Sequence, residues 1–514
     1  MLASQLFATA TLALTAFNVV AGQSTLPSMR IAFNVHRPSM AVFGSTSFDV
    51  YLKPVVSGSN VTFDGKMSIE QNGVTHSLVL ADNVPYHEVV GNLTNSTMCV
   101  APESIPSAVD IVDAIASATA VSTVKTDQDI SCEGKWLRTT YLGTSFVLCA
   151  SADVHDRNFT VYGEDFSAAF EYLSEEVCID KPSSASDCTA VTTNSVPLSA
   201  VGQFYGKTVA GSKRALRDEV ATAQLASPTC TCQGTPRPCL FLHGMDVTAD
   251  GGIVDSYEFF GDIKKHAPCC SSFNYAVLNT VDYPWYDDML QQKACDAAIN
   301  ITTGDASNGS TVINDLIVVA HSMGNSMFAG ALATDKCSIG KNVDWVALSG
   351  PMKGSMGSDF MDTICGSGSD SSTLLSMFGG LIGQCPGTTT RRSLVYDGGD
   401  YCDAACRLRY AAARAMHAKY VTAGMCGTSY NGLLSREYAG LLAGGLLIPH
   451  HSSKNDGIVE FQSCVGNLDP SKFTDSYSNT WYAAKLNHAD TTFHDGEGLF
   501  SRAQKPLKWF ECLL

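Results

Sequence analysis

The stretch LIVVAHSMGN at positions 316–325 decides how the middle of this chain folds. Its apolar, largely β-branched start is typical of a strand buried in a parallel sheet, whereas the small residues from Gly324 to Leu332 suit a helix. We therefore predict a strand, a sharp turn and a helix, with Ser322 on the turn. Small neighbours allow such a turn to hold a strained backbone and to present the serine hydroxyl above the sheet. Ser322 is a candidate nucleophile, and an ordinary buried serine at a helix start is the alternative interpretation.

Further apolar runs on either side of this stretch indicate a sheet. A second strand is predicted at residues 238–242, and it ends in the pair His243-Gly244. Short apolar runs at residues 276–279 and 343–348 predict two more strands. Because helix-compatible segments separate these runs, the pattern favours an α/β architecture with a mainly parallel sheet.

Two polar motifs follow nearer the end of the chain. The apolar run at 446–449, which we interpret as a strand, leads into Asn-Asp-Gly at 455–457, and an Asn-His-x-Asp motif begins at Asn487. Asp456 and His488 in these motifs complete an order of serine, acid and histidine along the chain. A simple turn is the alternative for the first motif, because Asn-Asp-Gly is also good turn chemistry.

Together these motifs resemble the α/β-hydrolase fold, in particular its lipase and esterase members, over about residues 238–510. The order Ser322, Asp456, His488 is the one that this family uses, although Ala320 stands where its serine motif usually has glycine. The resemblance implies a doubly wound, mainly parallel sheet and a carboxylic ester hydrolase.

The same resemblance implies a role for each motif residue. Ser322 would be the nucleophile, His488 the base that activates it, and Asp456 the acid that orients the histidine. The backbone amides of Met245 and Met323 would form the oxyanion hole. The expected substrates are esters, with lipids at an interface favoured, and acyl transfer to an acceptor other than water would use the same residues.

Four other residues near these motifs have competing interpretations. Asp397 and Asp400 are alternative acids, but they lie in cysteine-rich sequence before a predicted helix. His494 is the alternative base. Asp490 matches the position at which bacterial lipases place a calcium ligand, so the resemblance suggests calcium there, without partner ligands that the sequence can place. We expect no other cofactor or metal.

An insertion distinguishes this domain, taken as residues 230–514, from a minimal hydrolase. Residues 356–444 contain five cysteines and precede the next predicted strand. Insertions at this point in the family often cover the active site, so the resemblance implies a disulfide-rich cap here. Within them, the apolar and glycine-rich segment 374–383 is a candidate lid that contacts an acyl chain. A buried packing helix is the alternative for that segment.

The N-terminal part of the chain has a different pattern. Residues 23–181 alternate apolar and polar side chains in short runs between turn residues, which predicts a separate β-rich domain. We expect some helix in it, near residues 107–117 and 166–176. Residues 182–229 begin with Ser, Thr and Pro in abundance and are interpreted as a linker.

Several features indicate secretion. Residues 1–22 contain an uncharged apolar run that ends in small residues, as a cleaved signal peptide does. The 19 cysteines and six Asn-x-Ser/Thr sequons fit an oxidising, extracellular compartment. We expect disulfides rather than zinc sites, and the odd cysteine count leaves at least one thiol outside intrachain disulfides. No transmembrane anchor is expected, because the apolar stretch at 438–449 is too short to span a bilayer.

The formal net charge of −17 argues against nucleic acid as a partner, because no basic stripe is present to neutralise phosphates. A secreted binding or adhesion protein that keeps a hydrolase fold without chemistry is the hypothesis from another class. The ordered set of serine, acid and histidine motifs favours the hydrolase. The sequence leaves the oligomeric state open.

Overall fold

The computed structural model describes residues 26–91, 95–151, 158–183, 188–201, 222–303, 310–366, 387–433, 435 and 438–514. The chain forms two compact units: one runs to Pro228 and includes Gly498–Ser501, and the other consists of Thr229–Glu497 and Arg502–Leu514. The expected signal peptide and the candidate lid at 374–383 lie outside the described residues.

The first unit is built on a 12-stranded sheet. Its strands and helix are β1 (Met29–Val35), β2 (Ser47–Ser57), β3 (Asn60–Gln71), β4 (Val74–Ala81), β5 (Val84–Val90), β6 (Asn95–Cys99), α1 (Ala108–Ala116), β7 (Thr119–Val121), β8 (Thr123–Lys125), β9 (Lys135–Tyr141), β10 (Thr144–Ala150), β11 (Phe159–Tyr162), β12 (Phe166–Tyr172), β13 (Val196–Pro197) and β14 (Thr222–Gln224).

The strands of this sheet follow the order β6-β5-β4-β3-β2-β1-β12-β11-β10-β9-β7, with β13 beside β3, while β8 and β14 form a separate parallel pair. Neighbours in the large sheet are antiparallel, and β3 alternates buried and more exposed residues, as a strand with one covered face does. The predicted β-rich N-terminal region is confirmed. Two short parts of the expected linker, β13 and β14, pair with strands of this unit.

One local expectation in this region is wrong. Residues 166–172 form β12 rather than a helix, and the strand pairs with β1 along its full length. Phe166, Ala168 and Phe170 are buried in turn, so the burial repeats every second residue as in a strand. The expected helix near 107–117 is present as α1, with the Ser107 hydroxyl accepting a hydrogen bond from the Asp110 N–H at its start.

The second unit combines a mainly parallel sheet with helices. Its elements are β15 (Arg237–Leu242), β16 (Gly252–Val254), β17 (Cys270–Val277), α2 (Asp288–Thr303), β18 (Val312–Ile313), β19 (Leu316–His321), α3 (Met323–Ala333), β20 (Ser338–Ile339), β21 (Val343–Leu348), α4 (Met356–Gly366), α5 (Thr389–Ser393), α6 (Ala404–Tyr420), β22 (Val421–Gly427), α7 (Tyr438–Leu447), α8 (Phe461–Val465), β23 (Trp481–Ala484) and α9 (Pro506–Glu511). Short 3-10 helices span Glu258–Phe260, Ile263–His266, Pro470–Lys472, Asp490–Thr492 and Arg502–Gln504.

Seven strands form this sheet in the order β16-β17-β15-β19-β21-β22-β23. Every neighbouring pair is parallel except β16 and β17, so the predicted mainly parallel sheet is confirmed. Strand β19, which comes from the stretch at residues 316–325, is central in this sheet. Its residues 316–320 have no exposed surface. A continuous apolar strand of this kind is covered on both faces, as the sequence predicts.

Helix α3 packs closely against the end of β15. A Cβ atom added at Gly324 would lie 2.7 Å from the Leu242 carbonyl oxygen and 2.8 Å from that of His243. Both contacts are with backbone, so no side chain can move aside to make room. Glycine at this position therefore allows the helix to start directly beside the neighbouring strand.

Part of the segment that was expected to form the cap, residues 356–444, belongs to the core instead. Helix α6 packs against α3, and β22 lies in the sheet between β21 and β23, so residues 404–427 are part of the core architecture. The sequence of β22, VTAGMCG, is short of the β-branched residues that identify β19.

The run at 446–449 is also not the expected strand, because α7 extends to Leu447. Its sequence, YAGLLAGGLL, contains no β-branched residue, and leucine and alanine are strong helix formers. A Cβ atom at Gly444 would lie 2.5 Å from the Gly457 carbonyl oxygen, so α7 contacts the loop that carries Asp456.

Disulfides are abundant, as expected. Cys178 is free and exposed, in agreement with the odd count. Within the described residues, no helix is long and apolar enough to span a membrane. The eight pairs in the described part of the chain are Cys99–Cys188, Cys132–Cys149, Cys230–Cys512, Cys232–Cys269, Cys239–Cys270, Cys295–Cys337, Cys402–Cys406 and Cys426–Cys464.

Burial of His417 makes the stability of the protein sensitive to acid. Its imidazole packs edge-on against Trp345, neither ring nitrogen has a hydrogen-bond partner, and burial lowers its pKa to about 3. Between about pH 6.5 and pH 3 the unfolded chain binds a proton here that the folded chain does not, so stability falls as the pH falls, by roughly 1 kcal/mol per pH unit. We expect His417→Leu to flatten this slope in urea unfolding measured from pH 7 to pH 4.

The matched control is His36→Leu, which replaces a half-buried histidine that contacts the Glu164 carbonyl oxygen at 3.3 Å. An unchanged slope in His417→Leu would mean that the folded protein accommodates the charged imidazole at this position.

Candidate active site

Ser322 lies on the turn between β19 and α3, and its backbone is strained. Its φ of 53° and ψ of −129° are unfavourable for a residue with a side chain, at a cost of about 1–3 kcal/mol. The Ser322 N–H donates to the Leu348 carbonyl at 2.9 Å, and its own carbonyl accepts from the Asn325 N–H at 3.0 Å. The turn therefore has hydrogen-bond partners in β21 and α3.

The Asn325 side chain stabilises the same turn through hydrogen bonds to the backbone of β19 and β21. This fully buried amide donates to the Ala320 carbonyl at 2.8 Å and to the Leu348 carbonyl at 3.1 Å. Its oxygen accepts from the Trp345 indole N–H at 3.2 Å. Asn325 thus ties the end of β19 to the end of β21, a role that its position within residues 316–325 did not predict.

His488 connects the serine to Asp456. The Nε2 atom of His488 lies 2.9 Å from the Ser322 Oγ, and its Nδ1 lies 2.8 Å from the Asp456 Oδ2. The structure therefore brings the three residues named from the sequence into one hydrogen-bonded chain. In that arrangement Nδ1–H donates to the carboxylate, and Nε2 is left to accept from the serine hydroxyl.

Backbone hydrogen bonds fix the carboxylate. Asp456 is almost completely buried, and its Oδ1 accepts from the N–H groups of Val459 at 2.7 Å and Ile458 at 3.1 Å. The Asp456 carbonyl also accepts from the His488 N–H at 2.9 Å. The Asn-Asp-Gly motif is thus both a turn and the support for an acid, so the two interpretations of this sequence do not exclude each other.

Two other histidines support the loops around Ser322. His243 accepts from the Leu278 N–H at its Nε2, so its Nδ1 carries the proton and donates to the Gly244 carbonyl at 2.7 Å. The Nε2 of His321 contacts the His488 carbonyl at 3.1 Å, and burial holds the pKa of His321 well below its usual value. Both rings therefore contact backbone groups of the loops next to Ser322.

The loop after β15 passes directly over the serine. A Cβ atom at Gly244 would lie 2.8 Å from the Ser322 Cβ, so glycine is needed for this approach. Met245 follows Gly244, and Met323 is the first residue of α3. Within the described part of the chain, neither Met245 nor Met323 donates its amide N–H to a protein acceptor.

Asp490 supports the histidine loop with its own hydrogen bonds. One carboxylate oxygen accepts from the N–H groups of Leu433 at 2.5 Å and Asn487 at 3.1 Å, and burial raises the pKa of this carboxyl well above its usual value. Calcium requires six to eight oxygen ligands. Across the residues that the structure describes, no group of three or more His, Cys, Asp or Glu side chains is arranged to hold a metal. The other Asp490 carboxylate oxygen is buried without a hydrogen-bond partner among these residues, and calcium at this position stays a prediction.

The competing residues have other contacts. Asp397 pairs with Arg414 at 2.6 Å, and Asp400 is exposed. His494 is also exposed, and its Nδ1 lies 3.1 Å from the Asp495 carboxylate. The histidine whose ring contacts the Ser322 Oγ is His488.

Ser322 and His488 line a cavity of about 610 Å³. Such a volume accommodates a small organic molecule. The cavity is also lined by a cationic residue, Arg391 on α5, for which the sequence predicted no role. Much of the remaining lining is apolar and comes from separate segments of the unit: Val247, Phe259, Met361, Leu394, Ile448 and Val459.

Comparison with known proteins adds little. No family model matches the chain, and no curated protein matches it. Among solved structures, a haloalkane dehalogenase from Bradyrhizobium elkani is similar over 42% of this chain and 80% of its own, at 14% sequence identity and a TM-score of 0.24. A likeness this weak says nothing about what the site does.

Loss of the Asn325 amide should loosen the turn at Ser322. In Asn325→Ala, the carbonyls of Ala320 and Leu348 lose a donor inside the core, and we expect the free energy of unfolding to fall by about 1–3 kcal/mol. The rate at which a fluorophosphonate labels Ser322 should fall as well, because the hydroxyl is no longer held in position. Asn467→Ala, which removes an exposed amide with no hydrogen bond to the described residues, should change neither quantity. Wild-type values in Asn325→Ala would show that the turn keeps its shape without this side chain.

Proposed function

We propose that this protein is a secreted serine hydrolase that cleaves carboxylic esters. The observation that carries the proposal is the hydrogen-bonded chain from Ser322 through His488 to Asp456, next to a cavity of substrate size. A serine hydroxyl is a poor nucleophile until a base removes its proton, and His488 is in hydrogen-bond distance to do so.

We also propose that the second unit is an α/β-hydrolase domain. Three observations support this assignment: the mainly parallel sheet, the strained serine between β19 and α3, and the later positions of Asp456 and His488 in the chain. The disulfides support secretion, because disulfides form and persist in oxidising compartments such as the extracellular space.

The first half of the reaction acylates the serine. As the Ser322 Oγ attacks the ester carbonyl, its proton passes to the Nε2 of His488, and negative charge develops on the carbonyl oxygen. The amides of Met245 and Met323 are the proposed donors to that oxygen. The tetrahedral intermediate then expels the alcohol, which takes the proton from His488, and the acyl group remains on Ser322.

The second half reverses these roles with water. His488 removes a proton from the water as it attacks the acyl-enzyme, and the same proton returns to the Ser322 Oγ when the carboxylic acid leaves. The Asp456 carboxylate stabilises the imidazolium that forms twice in each cycle. Because much of the cavity lining is apolar, we propose that the cavity binds an acyl chain or another apolar group of a lipid-like ester.

Replacement of the three residues should abolish turnover. We expect Ser322→Ala and His488→Ala to lower kcat for 4-nitrophenyl butyrate by about 10⁴-fold or more, and Asp456→Asn by about 10³- to 10⁴-fold. A fluorophosphonate probe, followed by peptide mapping, should label wild-type protein at Ser322 and leave Ser322→Ala unlabelled.

Ser326→Ala is the matched control, because this buried serine lies one turn further along α3 and its hydroxyl contacts the Pro351 carbonyl instead. Folded protein that neither hydrolyses the ester nor reacts with the probe, also in the presence of a detergent interface, would favour a binding protein without chemistry. Product analysis with an added alcohol separates hydrolysis from acyl transfer.

A further inference from the structure

Arg391 is the one arginine or lysine among the described residues that line the cavity beside Ser322. It lies on α5, whose first residue follows the N-cap Thr388, and the Thr388 hydroxyl accepts from the Arg391 N–H at 3.3 Å. The side chain is partly buried, and its Nε is shielded from solvent without a hydrogen-bond partner.

The backbone around Arg391 is held in place on several sides. The buried Thr390 hydroxyl donates to the Tyr283 carbonyl at 2.7 Å, and the Trp285 indole N–H donates to the Ser393 carbonyl at 2.8 Å. The Leu394 carbonyl accepts from the Ser355 N–H at 2.8 Å. Arg391 is therefore presented to the cavity from a fixed element.

The guanidinium group has no carboxylate partner among the described residues. Nearby arginines do: Arg392 pairs with Asp362 at 3.4 Å, and Arg414 pairs with Asp397 at 2.6 Å. An arginine is always protonated in proteins, so its positive charge persists in this partly dehydrated position. Burial disfavours that charge and lowers the pKa of Arg391, with no neighbouring anion to offset the effect.

Three carboxylates also line the cavity, and none of them pairs with Arg391. Asp246 accepts a hydrogen bond from the Tyr257 hydroxyl, Asp495 lies beside His494, and Glu258 is exposed. A positive charge on the wall of a cavity, with an unused planar set of donors, is suited to an anionic oxygen group that arrives with a ligand.

We propose that Arg391 binds an anionic oxygen group of the substrate, such as a carboxylate, so that the protein favours esters that carry a negative charge away from the scissile bond. This inference rests on the proposed ester hydrolysis at Ser322. The substrate it describes has an apolar part and one anionic end, and Arg391 determines specificity without a part in the chemical step.

Two pairs of esters test the proposal on the full-length protein. Mono-4-nitrophenyl adipate and 4-nitrophenyl hexanoate compare an anionic with a neutral acyl group, and 4-carboxyphenyl butyrate and its methyl ester compare the two states of the alcohol. We expect wild-type protein to prefer the anionic member of at least one pair, which also tells which side of the ester faces Arg391.

In Arg391→Gln, kcat/KM for that anionic ester should fall by about 10- to 100-fold, because a charge-assisted hydrogen bond is lost, while the value for its neutral partner stays within about twofold. Arg391→Lys should lie between Arg391→Gln and wild type. Arg392→Gln, at the next position but paired with Asp362, should behave like wild type.

Equal losses for both members of the pair, or no loss in Arg391→Gln, would overturn the proposal while ester hydrolysis stands. A wild-type protein that hydrolyses none of the four esters and is not labelled at Ser322 would instead overturn the proposed function. If Arg391→Gln does not fold, inhibition of the wild type decides: adipate should inhibit hydrolysis of the neutral hexanoate ester more strongly than adipamide does, and equal inhibition would count against the proposal.

Discussion

The strained backbone at Ser322 is the constraint on which the second unit depends. A serine with positive φ persists only where its surroundings hold it, and here the ends of β15, β19 and β21 meet around it. Gly324 and Gly244 have no side chains because there is no room for them beside the strand end and the serine. Both glycines are therefore required by the same close packing around the Ser322 turn.

The acid and the histidine depend on a second point of close packing, at the end of β22. A Cβ atom at Gly427 would lie 2.6 Å from the Asp456 Cβ and 2.7 Å from the Leu486 carbonyl oxygen. The loop with Asp456 and the loop with His488 thus share one narrow space, and the hydrogen bond from the His488 N–H to the Asp456 carbonyl joins them. The position of the imidazole is determined by backbone as much as by the carboxylate.

Local sequence pattern was sufficient to predict the elements whose residues are nearly all of one type, such as all apolar or all small. The apolar run of β19 and the small residues of α3 identified a strand, a turn and a helix. The alternating runs before residue 181 identified a β-rich region. Pattern failed where strand and helix compete on similar terms, as in β12, β22 and α7. Leucine, alanine and glycine in α7 satisfy an apolar strand template, but without β-branched residues they form a helix.

The same limit applies to the candidate site. Ser322, Asp456 and His488 lie in short motifs, so they could be named from the sequence and the structure brings them together. Asn325, His321 and Arg391 have no motif of their own, because their importance comes from what lies beside them in space. The sequence TTRRS contains two adjacent arginines. It gives no indication of which one pairs with a carboxylate and which one lines a cavity.

The disulfide between Cys230 and Cys512 has a consequence for how the second unit responds to proteases. These cysteines are 282 residues apart and lie near the two ends of the unit, where the Gln233 N–H also donates to the Leu514 carbonyl at 2.8 Å. The main chain between them is a closed ring. One cut anywhere in that ring opens it without releasing a fragment, so a nicked molecule keeps its full mass until a reductant separates the pieces.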